Sequence, residues 1–330
     1  MKKERIITEI KELKQRLNIT IVSHFYQKDE VFELADFAGD SLQLAQLAVK
    51  DKNPNLIFCG VGFMGESVKI LDPNKRVFMP KVASCSMAMM ISGANYDENV
   101  QILNDHGIAS EDILPITYIN SSAEVKARVG KMGGMVCTSS NAKKIITKAL
   151  KSGKKILFVP DRCLGQNIAN EMGLKSAVIG IDENLKDADV LCYDGFCSVH
   201  QLFTTDDIEF YKAKYPDIKI ITHPECDPAV CQKSDFVGST SQIIKYVDSL
   251  PLEQKVAIGT EYNLVNRMRE KNTFVLSSTK PQCPTMNETS LQDLYDTLKA
   301  IEKDECLSEI FVDEETVKWA KIALERMFEV

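Results

Sequence analysis

Three cysteines are the residues best suited to chemistry, and their surroundings match. They are Cys85 in Ala83-Ser84-Cys85-Ser86, Cys197 in Gly195-Phe196-Cys197-Ser198, and Cys283 in Pro281-Gln282-Cys283-Pro284. Each follows a short apolar run that reads as a strand: 76–79, 190–193 and 273–276. Thiolates are soft metal ligands. No two of the ten cysteines have the Cys-x-x-Cys spacing of zinc ribbons or thioredoxin-like sites. Three readings compete. Structural zinc wants four closed ligands. A regulatory disulfide needs only a pair. An iron–sulfur cluster held by three cysteines leaves one iron open as a Lewis acid. One cysteine per block of sequence fits the third reading best. Cys59 and Cys192 fall inside apolar runs and read as small buried hydrophobes.

Histidine use points to the same places. Of four histidines, His24, His200 and His223 sit in loops at equivalent strand ends, and His106 sits in a connector. A lone histidine is usually structural; three in such positions suggest a site. Neutral imidazole can ligate metal, and imidazolium can hold carboxylate or phosphate. Ser41, Ser139, Ser239 and Thr240 lie where a loop meets a helix N-terminus. They can cap the helix, or they can help backbone N–H groups and the helix dipole hold an anion. Three such turns without a basic cluster suggest a small polyanionic ligand.

The elements that must position these residues form a repeat. Apolar runs at 19–22, 114–117 and 218–222 end in His24-Phe25-Tyr26, Tyr118-Ile119-Asn120 and His223-Pro224-Glu225. Each block continues with a small-residue turn, a helix, a second strand (56–59, 155–159, 255–258), another helix and the strand before its cysteine. Strands alternating with helices mean βαβ units and parallel sheet. Ligands of such sheets sit beyond the carboxyl ends of the strands, where these motifs fall. The expected fold is α/β: three similar αβα domains, at 1–108, 109–200 and 201–330, the last with C-terminal helices. In detail, helices are expected at 4–17, 30–37, 41–49 and 290–301, with a last one capped by Asp313 and carrying Trp319. The turn at Pro160-Asp161-Arg162 offers either a ligand contact or a local Asp–Arg pair. Gly60-Val61-Gly62-Phe63-Met64-Gly65 lacks the dinucleotide-binding spacing, so its glycines are read as close backbone approach.

With 330 residues the chain is long enough for two or three domains, and 44% hydrophobic residues supply a core. The net charge of −7, without a basic stripe, argues against nucleic acid. No apolar run approaches the roughly 20 residues of a membrane span. The charged first residues lead into a polar helix, so the cytoplasm is the expected location.

The motifs identify the chain as similar to the quinolinate synthase family. They are His24-Phe25-Tyr26-Gln27, Gly39-Asp40-Ser41-Leu42, Phe63-Met64, Tyr118-Ile119-Asn120-Ser121, Thr138-Ser139-Ser140-Asn141-Ala142, Gly195-Phe196-Cys197 with His200, His223-Pro224-Glu225-Cys226, Gly238-Ser239-Thr240-Ser241, Thr260-Glu261 and Cys283-Pro284-Thr285-Met286. They run in order over nearly the whole chain. The resemblance implies three domains around a 4Fe–4S cluster held by Cys85, Cys197 and Cys283, in a transferase of NAD biosynthesis. It implies condensation of iminoaspartate with dihydroxyacetone phosphate, and a functional link to an aspartate oxidase or dehydrogenase. It implies that His24, Ser41, Tyr118, Ile119, Asn120, Ser139, His200, His223, Pro224, Glu225, Ser239 and Thr240 line the substrate site. Glu225, Tyr26 and His223 are the expected catalytic groups. Gly62 stands where the family often has His, Gln201 where Glu is common, and Pro284-Thr285-Met286 holds no extra cysteine. A different iron–sulfur hydro-lyase and a non-catalytic iron–sulfur metabolite sensor are the alternatives.

Overall fold

The computed structural model describes residues 2–305 and 308–329. The described strands form three parallel sheets, each flanked by helices. The first contains β1 (Thr20–His24), β2 (Phe37–Gly39), β3 (Asn55–Cys59) and β4 (Arg76–Phe78), ordered β2-β1-β3-β4. The second contains β5 (Ile113–Tyr118), β6 (Met135–Cys137), β7 (Lys155–Val159), β8 (Ser176–Val178) and β9 (Val190–Cys192), ordered β6-β5-β7-β9-β8. The third contains β10 (Lys219–Thr222), β11 (Phe236–Val237), β12 (Val256–Gly259) and β13 (Thr273–Val275), ordered β11-β10-β12-β13. β8 is the one addition to the shared four-strand plan. The central strands are buried almost throughout, which is why they read as continuous apolar runs rather than alternating ones.

One expected helix is different. The sequence spacing predicts a helix over 30–37, but the helix spans Asp29–Phe32 and the chain then turns into β2. Asp36 decides this. Its amide donates to the Ile21 carbonyl (2.7 Å), and its carboxylate accepts from the Ile21 amide (2.8 Å). The chain is therefore pinned beside β1. Asp235 does the same to Ile220, at 2.8 Å for both bonds. Asp36-Phe37-Ala38-Gly39 and Asp235-Phe236-Val237-Gly238 are a matching pair, and each builds a short edge strand. A strand this short carries no periodicity to read.

The C-terminal segment ties the units together. Leu291, Leu294 and Leu298 pack with Ile10 and Leu13 of the first helix, Lys2–Arg16. Glu309 extends the first sheet by an antiparallel bridge to Phe78. The helix Glu314–Arg326 crosses the helix Ala123–Lys131 at Gly130, where an added Cβ would lie 2.0 Å from the Trp319 carbonyl oxygen. Trp319 is a packing residue, partly buried against the core. Cys59 and Cys192 are fully buried, as read from the sequence, and His106 is exposed. Among the described residues no helix is long and apolar enough to cross a membrane.

Candidate active site

The loops at the carboxyl ends of the three sheets enclose one cavity of about 670 Å³, counted out to its mouth. Cys85, Cys197 and Cys283 all line it, one from each unit. Each cysteine loop is held by the same two devices. The first is the opening amide of the helix after the second strand of each core. Gly62 donates to the Ala83 carbonyl (2.8 Å), Arg162 to Gly195 (2.9 Å) and Tyr262 to Pro281 (2.9 Å). Every acceptor lies two residues before its cysteine. The second is a tight turn after the cysteine. The amides of Met89, Gln201 and Asn287 donate to the carbonyls of Cys85, Cys197 and Cys283 at 3.1, 3.2 and 3.1 Å, each four residues on, and within those turns the amides of Ala88, His200 and Met286 face the sulfurs and pull the thiols toward ionisation. Amides aimed at sulfur favour the thiolate.

Burial works against those amides. It pushes Cys85 up to about 12 and raises Cys197 and Cys283 as well; neighbouring thiols and Glu225 add to the shift of Cys85 and Cys197, and Glu261 to that of Cys283. Three thiols facing one space hold their protons until a cation displaces them, which is how a metal couples to such a donor set. Cys197 Sγ, a ring nitrogen of His200 and a carboxylate oxygen of Glu225 lie within 4.8 Å of one another and extend the set. The site therefore carries the donors for metal, and three converging thiols fit an iron–sulfur cluster.

A polar network covers the facing walls. The Tyr118 hydroxyl donates to Glu225 Oε1 (2.5 Å). His200 Nδ1 lies 2.9 Å from Glu225 Oε2, off the line of a straight N–H···O bond. His200 Nε2 is 3.2 Å from the Thr260 hydroxyl, which is 2.8 Å from the Tyr26 hydroxyl. The Glu225 amide donates to His223 Nδ1 (3.3 Å), so Nε2 carries that ring's proton and donates to Ser139 Oγ (3.2 Å). In the same way the Tyr26 amide donates to His24 Nδ1 (3.1 Å). Burial lowers His24 to about 4 and His223 to about 3. Both are neutral donors at pH 7, not imidazolium ions. Burial resists ionisation of Glu225, but His200, His223 and the Tyr118 hydroxyl outweigh it and hold the carboxyl below its usual range.

At the far end the helices Ser41–Lys50, Ala142–Leu150 and Thr240–Ser249 bring their N-termini together. Ser140 Oγ donates to Asp40 Oδ2 (2.9 Å) and lies 2.8 Å from Ser239 Oγ, and Ser241 Oγ donates to Asp40 Oδ2 (2.7 Å). Among the described residues lining the cavity there is no Lys or Arg. An anion here would rest on amides, hydroxyls and imidazole N–H groups.

Of the residues expected to line the site, His24, Tyr26, Ser41, Tyr118, Asn120, Ser139, His200, His223, Glu225, Thr240 and the three cysteines do so. Ile119, Pro224 and Ser239 do not line it. Ile119 is core, the Pro224 carbonyl accepts from Asn167 (2.8 Å), and Ser239 caps its helix. The Asp161–Arg162 pair does not form. Asp161 caps the helix Arg162–Met172, and Arg162 pairs with Asp194. Sequence reasoning gave no site role to Asp40 or Ser140; both belong to the hydroxyl turns it singled out, which was the available signal.

Fold and site define a class: a three-unit α/β protein with a metal-competent, thiol-lined cavity shared by all units. The comparisons narrow it. The model of the family described as "Quinolinate synthetase A protein" matches residues 8–329. A quinolinate synthase of Helicobacter pylori (strain HPAG1) is 55% identical over 329 residues, covering 98% of this chain and 97% of that protein. One from Streptomyces coelicolor is 38% identical over 345 residues, covering 98% and 87%. One from Listeria innocua is 40% identical over 349 residues, covering 100% and 95%. The chain belongs to the quinolinate synthase family.

Proposed function

We propose that the chain condenses iminoaspartate with dihydroxyacetone phosphate, giving quinolinate, phosphate and water. The observation that carries this reading is the meeting of one cysteine from each unit in a cavity whose far end is built from helix N-termini. Cys85, Cys197 and Cys283 would hold a 4Fe–4S cluster. Such a cluster, when bound, supplies an open iron that polarises a substrate oxygen or nitrogen without a net electron transfer.

The chain's own residues do the rest. Ser41 and Thr240 open their helices and take the phosphate with the first-turn amides. His24 assists as a neutral N–H donor. Tyr118 and Ser139 orient the carboxylates. Asn120 presents a buried Oδ1 with no partner in the protein, suited to an imine N–H or a hydroxyl of the substrate. Glu225 is the ionised base of one wall, and Tyr26 is the phenol of the facing wall. The imine is unstable in water, so an aspartate-oxidising enzyme in the same compartment, the cytoplasm, must supply it.

The test is to purify the protein without oxygen and count iron and sulfide in the parent and in Cys85→Ala, Cys197→Ala and Cys283→Ala. About four of each per chain in the parent, lost in all three variants, together with quinolinate formation, supports the reading. Iron indifferent to these cysteines would sink it. Turnover of a small carboxylic acid without triose phosphate would point instead to a hydro-lyase.

A further inference from the structure

The helix Tyr262–Arg267 of the third unit reaches across to the first and grips its site loop by the backbone. Three consecutive carbonyls, those of Phe25, Tyr26 and Gln27, accept from side chains of this helix. Arg267 Nη2 donates to Phe25, Asn263 Nδ2 to Tyr26 (2.9 Å) and Arg267 Nη1 to Gln27 (2.9 Å). The same guanidinium pairs with Asp29 (2.8 Å) and lies 4.1 Å from the centre of the Phe32 ring. Phe25 and Tyr26 pack on the apolar cluster that includes Leu264 and Val265 of this helix. A planar fork that holds two carbonyls and covers a ring fixes orientation as well as distance.

The helix is tied equally closely to the Cys283 loop. Glu261 caps it, accepting from the amides of Asn263 (2.7 Å) and Leu264 (3.4 Å), and its other oxygen accepts from the Cys283 amide (3.2 Å). Gln282 Nε2 donates to Asn263 Oδ1 (3.0 Å) and to Asn287 Oδ1 (2.9 Å). Asn287 Nδ2 in turn donates to the Cys283 carbonyl (2.6 Å). Asn263 is therefore one amide group with two attachments. Its oxygen is held by the neighbour of Cys283, and its nitrogen holds Tyr26.

We propose that this helix couples the two loops, so that whatever holds Cys283 in place also sets the His24–Tyr26 wall, with Asn263 and Arg267 as positioning residues. The proposal rests on the cluster reading above. His24, Tyr26 and Cys283 line the cavity; Asn263 and Arg267 stand behind it and act through them. A bound group that fixes the Cys283 loop fixes Glu261, Gln282 and Asn287, and with them the start of the helix. Ordering the first-unit loop then costs less, because its partners are already in place. The wall that meets the substrate is thereby firm in the loaded chain. Linkage makes the coupling reciprocal: loosening the first-unit loop weakens metal binding at the thiols by the same factor.

The experiment is hydrogen exchange read by mass spectrometry, on the protein purified without oxygen and on the same protein stripped of iron by a chelator. In the parent, loading should slow exchange across residues 25–34 about fivefold or more, as well as around Cys283. Asn263→Ala should keep the slowing around Cys283 and lose it at 25–34. Arg267→Lys, which keeps the charge but not the fork, should do the same. Arg267→Lys should also bind Zn²⁺ about fivefold more weakly in competition with a chelator, although the partners of its guanidinium named above all belong to the first unit. A purely structural role would lower the melting temperature and speed exchange equally in both states, leaving the response to loading as it is in the parent. Variants that keep the full response overturn the proposal. So does exchange at 25–34 that is indifferent to loading in the parent, a result that needs no variant to fold. A parent that carries no iron sinks the cluster reading. The same comparison with and without Zn²⁺, an ion that thiolates bind, then judges the coupling by itself.

Discussion

In the first unit the loop after β1 runs His24-Phe25-Tyr26; in the third, the loop after β10 runs His223-Pro224-Glu225. Both histidines accept the amide two residues on at Nδ1, at 3.1 and 3.3 Å. Both loops sit beside a short edge strand pinned by an aspartate, Asp36 or Asp235. What changes is the third residue, a phenol in one and a carboxylate in the other. The position capping the helix after the second strand changes too, Val61 in the first unit and Glu261 in the third. The scaffold thus fixes where a side chain arrives, and single substitutions on it set the chemistry. In the second unit Tyr118-Ile119-Asn120 carries no histidine, and its sheet carries the extra strand β8.

The largest effect should strike the feature all units share. Cys85→Ala and Cys283→Ala should abolish bound iron and activity alike, because their loops are held in the same way. Iron retained in one but not the other would break the equivalence. A smaller contrast separates the two third residues. Glu225→Gln should lower kcat by about 10²–10⁴-fold. Tyr26→Phe should lose less, about tenfold to 10²-fold, because burial keeps the phenol protonated while Glu225 stands ionised as the base. Steady-state assay of both variants decides, and a larger loss for Tyr26→Phe would reverse the assignment.

The histidines allow a pH test of stability. Burial, aided by Arg267 and opposed by Asp40, lowers His24 from 6.5 to about 4. Between those values the unfolded chain binds a proton that the folded chain does not. Stability is therefore full above about pH 6.5 and falls as pH drops toward 4. Denaturation midpoints at pH 7 and 4.5 should differ less in His24→Gln than in the parent. An unchanged difference would mean that His24 is already protonated when folded.

Much of this was legible in the sequence. The cysteines, histidines and hydroxyl turns stand at strand ends, and the buried central strands announce themselves as apolar runs. The edge strands β2 and β11 were not legible, because two or three residues carry no period and the run 31–37 mimics helical spacing. The paired Asp-Phe-x-Gly segments were the overlooked signal. The Ser140–Asp40–Ser241 junction and the Thr260 bridge are contacts between units about 100 or more residues apart in places, beyond any local pattern. Ile119, Pro224 and Ser239 were expected at the cavity because their neighbours are there; in a tight loop adjacent side chains point apart.

The smallest expected effects test the glycines beside the cysteine loops. At Gly195 an added Cβ would lie 2.4 Å from the Pro160 carbonyl oxygen, a backbone atom that cannot swing aside. Gly195→Ala should cost about 2 kcal/mol and loosen the Cys197 loop, with iron content falling accordingly. At Gly62 an added Cβ would meet the Ala83 carbonyl oxygen at 3.6 Å and Val82 Cγ1 at 3.8 Å, both ordinary contacts. Alanine there keeps the amide that holds Ala83 and removes freedom from the unfolded chain. Gly62→Ala should therefore stabilise by about 0.5 kcal/mol and leave iron and turnover unchanged. Chemical denaturation of the two variants side by side checks both signs. A destabilised Gly62→Ala would mean that the first unit's cysteine loop is packed as tightly as the second's, and the contrast between them would be lost.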